Sequence, residues 1–266
     1  MATGTRGAAV YERVLIEIFT SRFTAKARTV EFERDDIRRT AEALGLKVPD
    51  NLGDVLYSFR YRRRLPDEIQ KHAPKGHEWV LTTTKKSTYA FVAREVSNLA
   101  PSTLLAEISV PDSTPGLIAM YALTDEQALL AKLRYNRLID VFTGVTCYSL
   151  QNHLRTTVGG GVQVETDEIY VGIDVRGAHY VFPVQAKGGR DRLGIVQIEQ
   201  DFAMCEKKFP SLICRPVAAQ FMDDDLIALF SFTKSHGGVR VLAEKHYRLI
   251  PRGESAEHDF SVYNDT

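Results

Sequence analysis

Two stretches joined by a tight turn constrain this chain more than anything else in it. Residues 162–174, VQVETDEIYVGID, alternate well enough to be a β-strand, residues 179–187, HYVFPVQAK, make a second one, and Val175-Arg176-Gly177-Ala178 between them folds one back on the other as a hairpin. Alternate residues of a strand share a face, so Gln185 and Lys187 lie together, and antiparallel pairing about the turn brings Asp167 close to both. A carboxylate, a second oxygen and an ammonium then converge on one point. Glu165 lies near them, whereas Glu168 points to the opposite face, solvated or functional with equal weight. Pro183 cannot donate to a ladder, which predicts an edge or a bulge there.

Length and composition set what surrounds this hairpin. With 266 residues, 44% of them apolar and 26% charged, the chain can bury a real core as one large domain or two modest ones, and disorder, collagen and coiled coil are excluded as its main state. Apolar runs such as Leu226 to Phe230 are far too short to span a bilayer and the N-terminus lacks a signal-peptide core, so a cytoplasmic protein is expected. Cys147, Cys205 and Cys214 have no metal-ligand spacing and read as buried thiols. The net charge is zero but unevenly spread: residues 1–100 hold 18 basic against 13 acidic side chains, and residues 101–266 hold 16 against 21. A basic module joined to an acidic one suits a polyanion binder followed by a domain that collects carboxylates.

In the basic half, Val10, Val14, Leu15, Ile18 and Phe19 predict a helix over residues 8–22, and Val30-Glu31-Phe32 a short extended piece. Asp35 and Asp36 lead into a second helix through Ile37, Ala41 and Leu44 that stops at Gly45. Asn51 offers an N-cap for a third, through Leu52, Val55, Leu56 and Phe59. Trp79 to Thr82 and Tyr89 to Val92 then form a hairpin with Lys85 and Lys86 at its tip. Three helices and a hairpin resemble a winged helix-turn-helix. In that reading the third helix enters the major groove, Ser58 and Arg60 face outward with Tyr57 and Tyr61, Arg62, Arg63 and Arg64 follow on the phosphates, and the Lys85-Lys86 tip lies on the backbone of double-stranded DNA. The competing reading is a solvated basic face or a protein-interaction module.

Pro101, Pro111, Pro115 and Gly116 mark a boundary near residue 100. Thr124 to Gln127 form a capping box that starts a helix running to about residue 142, and a second helical stretch is expected over Val145 to Leu154. Asp140 on the first of these reads as an exposed helix residue more than as an accessory carboxylate. Gly159-Gly160-Gly161 lacks the following Lys-Ser/Thr of a phosphate loop and reads as a flexible lead into the next strand. A helix over residues 193–208 and strands over residues 212–221 and 226–233 complete the order.

Mg²⁺ keeps several waters and needs only one or two protein oxygens beside a substrate phosphate, and hydrolysing a phosphodiester calls for positive charge where negative charge develops on phosphorus. Asp167, Gln185 and Lys187 suit both demands. The pattern D-x(17)-Q-x-K on a hairpin, followed by a glycine pair and a helix, resembles the PD-(D/E)xK nucleases, and the surrounding VETDEIYVGID and FPVQAKGGRDRLGIVQIEQD resemble the type II restriction endonucleases of that superfamily. The resemblance covers about residues 125–250. It implies an αβββαβ core whose first strand the sequence does not locate, Mg²⁺ held by Asp167, the Gln185 oxygen and the Ala186 carbonyl, Lys187 beside the attacking water, and a homodimer. Where the family carries Asp or Glu this chain has Gln185, which brings no charge. Glu199 on the following helix is the first candidate to compensate, with Glu165 second.

The expected fold class is α+β or α/β: an N-terminal winged helix over residues 1–100 and a restriction-endonuclease-like mixed sheet flanked by helices over residues 101–266. The expected function is sequence-specific, Mg²⁺-dependent DNA cleavage. The alternative is a non-enzymatic winged-helix regulator whose C-terminal half is a sensor or dimerisation domain. No nucleophile elbow, dinucleotide fingerprint or P-loop is present in the sequence, and the seven histidines lack metal-ligand spacing.

Overall fold

A computed structural model describes residues 3–47, 52–61, 63–95, 99–121, 125–188, 193–223, 225–235 and 238–251. Asn51, Arg62, Thr124 and Gly189 fall outside these. The chain divides into two units: residues 1–99 with 156–164 and 194–203, and residues 100–155 with 165–193 and 204–266.

The first unit is built from α1 (Thr3–Arg22), β1 (Thr29–Glu33), α2 (Arg34–Ala43), α3 (Leu52–Tyr61), a short α4 (Asp67–Gln70), β2 (His77–Lys85) and β3 (Thr88–Glu95). Its strands form an antiparallel sheet in the order β1-β3-β2. The stripe Val14, Leu15, Ile18 and Phe19 of α1 is buried as its spacing requires, and Phe19 meets Trp79 and Phe91 edge-on. The sequence gives no periodic signal for α4, which is held by tertiary bonds: the Gln70 amide donates to the Trp79 carbonyl at 2.8 Å and accepts its N–H at 2.9 Å.

The second unit contains β4 (Glu107–Pro111), α5 (Gly116–Tyr121), α6 (Asp125–Tyr135), α7 (Leu138–Thr143), β5 (Thr146–Val158), β6 (Val162–Ile173), β7 (His179–Lys187), α8 (Ile195–Lys208), β8 (Ile213–Cys214), β9 (Val217–Phe221), β10 (Leu226–Ser235) and β11 (Gly238–Ile250), with the tip of β5–β6 and the first part of α8 grouping with the first unit. The strands make one mixed sheet in the order β4-β11-β10-β9-β7-β6-β5, in which β7 and β9 are parallel and β8 pairs with β7. Leu129, Leu133, Leu138, Ile139 and Phe142 of α6 and α7 pack in one core with Tyr170, Phe182, Val184 and Ala186 of the sheet. Among the described residues no helix is long and apolar enough to cross a membrane.

Three expectations are corrected. Residues 145–154 are not helical: Thr146–Val158 is the strand β5 at the edge of the sheet. Residues 148–153 of it are exposed on both faces, which erased the alternation that marks a strand, and its hydrogen bonds come from β6. The helix after Thr124 breaks in two at Arg137, whose φ is +50°. Pro183 lies on a central strand, opposite Ile169 of β6. On the other side of β7, β8 ends at Cys214 opposite Val181 and β9 begins at Val217 opposite Val184, so the missing N–H falls where no ladder asks for it.

Candidate active site

β6 and β7 are paired from Ile173 and His179 to Glu168 and Val184, where the ladder ends. Side chains then take the place of backbone rungs. Asp167 Oδ2 accepts the Ala186 N–H at 2.8 Å, and Gln185 Nε2 donates to the Glu165 carbonyl at 3.2 Å. Continuing the register sets Asp167 opposite Gln185 and gathers both on one face with Glu165 and Lys187. Gln185 and Lys187 are buried. A residue's N–H and C=O point to the same side of a strand, so the Ala186 carbonyl is on the β6 side of β7. On the far side of β7, Gln220 of β9 stands opposite Lys187.

Burial pushes the Asp167 carboxyl above the ordinary carboxylate range, against the pull of the Ala186 N–H, Lys187 and His153; the Glu165 charge adds to the rise. A carboxylate held at such a cost has an incentive to take up a cation. The oxygen donors beside it are the Gln185 amide and the Ala186 carbonyl, and among the described residues no group of three or more His, Cys, Asp or Glu side chains is gathered as a metal cage. One carboxylate with two neutral oxygens fits a Mg²⁺ ion whose shell is completed by water and phosphate, and not a resident ion bound by protein alone.

Glu168 is fully buried, so it is not the solvated alternative. Its Oε1 accepts from Arg134 Nε at 3.0 Å, Arg134 Nη2 at 2.8 Å and Ser149 Oγ at 2.5 Å. Burial opposes the charge of Arg134, but the Glu168 carboxylate outweighs it and raises that pKa. Asp140 is likewise structural, paired with Arg137 and accepting the Cys147 N–H at 2.9 Å.

Glu199 lies in the part of α8 that groups with the first unit, where Arg94 of β3 grips both carboxylate oxygens at 3.1 and 3.2 Å. Arg60 is not turned outward. Its guanidinium stacks on the Tyr61 ring, 4.6 Å from the centroid, and donates to the Tyr61 hydroxyl, which donates to Gln200 at 2.8 Å. Ser58 is half-buried and its carbonyl accepts the Arg63 N–H, while Arg63, Lys85 and Lys86 are exposed. Arg64 is exposed beside Asp67 at 3.5 Å. Chain comparison adds nothing further. No family model, curated protein or solved structure matches.

Two features escaped the sequence reading. Gly159–Gly161 is not a loose lead but a fitted turn: the Gly160 carbonyl accepts the Lys86 N–H at 2.9 Å, and a Cβ on Gly160, whose φ is +70°, would meet the Thr84 carbonyl at 3.2 Å. His153 and Arg155 of β5 reach the carboxylate of Glu165, at 3.0 and 3.2 Å, on the face that carries Asp167. Nothing in their spacing marks them.

Proposed function

We propose that this protein is a cytoplasmic, Mg²⁺-dependent DNA endonuclease of the PD-(D/E)xK type, acting as a type II restriction enzyme. The observation that carries the reading is the end of the β6–β7 ladder at Asp167, where a half-buried carboxylate, the Gln185 amide and Lys187 share one face and the Ala186 backbone lies alongside. The scaffold supports it: helices α6 and α7, the strands β5, β6 and β7, helix α8 and then β9 parallel to β7 follow the αβββαβ order. Asp167, Gln185 and Ala186 would hold Mg²⁺, which supplies Lewis-acid stabilisation of a phosphate when bound. Lys187, on the same face, would orient the attacking water and offset charge building on phosphorus. The first unit is read as a winged helix because, with the single-turn α4 set aside, its elements run α-β-α-α-β-β with the sheet order β1-β3-β2. Exposed Arg63, Lys85 and Lys86 then serve as its phosphate contacts. Restriction enzymes that cut both strands commonly work as dimers, so the resemblance implies a homodimer.

Purified protein incubated with mixed-sequence plasmid and Mg²⁺ is expected to give discrete fragments, and Lys187→Ala to give none. Intact DNA from the wild type across divalent metals would overturn the enzyme and leave the non-catalytic regulator that Gln185 favours.

A further inference from the structure

His153 is, among the described residues, the only non-glycine with positive φ inside a strand: its φ is +55°, whereas Ser87 and Arg137 lie in a turn and between helices. A left-handed residue in the middle of β5 costs stability, and such strain persists only where something else over-determines it. What it achieves is visible. His153 Nε2 and Arg155 Nη2 converge on one oxygen, Oε1 of Glu165, at 3.0 and 3.2 Å, with the His153 and Arg155 side chains 64% and 70% exposed. Polar contacts this exposed contribute little to stability, so they do not account for the strain. A guanidinium has five donors, and one is spent on Glu165, leaving the rest of the fork to the solvent. Glu165 is two residues before Asp167 and on its face.

We propose that Arg155, seated by Glu165 beside His153, forms an anion subsite that grips a DNA phosphate next to the one cut at Asp167. Glu165 holds the two heads at the rim, and the N–H groups of Arg155 that are not spent on Glu165 take the phosphate. The subsite rests on the nuclease reading for its substrate, but its test does not require cutting.

The probe is a labelled mixed-sequence 20-base-pair duplex, titrated by anisotropy in EDTA over a series of salt concentrations. Arg155→Ala is expected to weaken binding about tenfold and to lower the salt slope by about one unit, and Arg155→Lys to keep that slope. His153→Gly separates strain from scaffold: glycine accepts the left-handed backbone, so its Tm is expected to equal or exceed the wild type while DNA binding weakens. Binding and slope unchanged in both Arg155→Ala and His153→Gly would overturn the subsite, as would a wild type that does not bind duplex at low salt. A wild type that binds but never cuts would sink the nuclease reading and leave the subsite to be judged on these titrations.

Discussion

Asp167 and Glu168 are consecutive carboxylates on β6, and they live in opposite worlds. Glu168 faces the core beneath α6, fully buried, with three donors on one oxygen and a guanidinium as its counter-charge. Asp167 faces the other way, half-buried at the point where the β6–β7 ladder stops, with the Ala186 backbone N–H donating to it and a raised pKa. The first arrangement ties α6, β5 and β6 together. The second leaves a carboxylate whose charge the protein does not satisfy by itself. Burial alone therefore does not distinguish a structural acid from a chemical one; what distinguishes them is whether the fold has already supplied the partner.

Removing the partner-bound acid should have the larger effect on stability. Glu168→Ala strands Arg134, and breaking a buried pair costs about 3–5 kcal/mol, reduced here to about 2–3 kcal/mol because Arg134 is partly exposed. A fall in Tm of about 5–10 °C is expected by calorimetry. A change within 1 °C or so would put Glu168 on the same footing as its neighbour.

Asp167→Asn should act in the opposite direction. Because the folded-state pKa of Asp167 lies above its unfolded value, the folded protein holds the proton more tightly, and the stability tied to that proton is present at acid pH and lost as pH rises through the folded pKa. Without divalent ions, the variant should therefore match the wild type in acid and exceed it by about 1–3 °C in Tm at neutral pH. A lower Tm at neutral pH would mean that Asp167 is a structural acid too.

Much of this was legible in the sequence, for reasons that can be named. β6 and the helix α1 each bury one face, so their periodicity survives in the residues, whereas β7 is buried on both faces and shows instead as a short apolar run after a tight turn. β5 was misread because an edge strand with exposed residues on both sides has no periodicity to show. The convergence of Asp167, Gln185 and Lys187 followed from period two and one tight turn, both local rules. The fates of Arg60, Glu199 and Glu168 did not, since each was decided by a partner far along the chain: Tyr61 with Gln200, Arg94, and Arg134. The strain at His153 was invisible for the same reason, because a backbone angle imposed by tertiary structure leaves no mark on residue type.

The most direct test sets the two neighbours side by side in one plasmid-cleavage assay with Mg²⁺, at a temperature where both variants are folded. Glu168→Gln is expected to cut as the wild type does and Asp167→Asn to leave the plasmid intact. Cutting by Asp167→Asn at the wild-type rate, or loss of cutting in Glu168→Gln alone, would contradict the assignment of the chemistry to the face that carries Asp167.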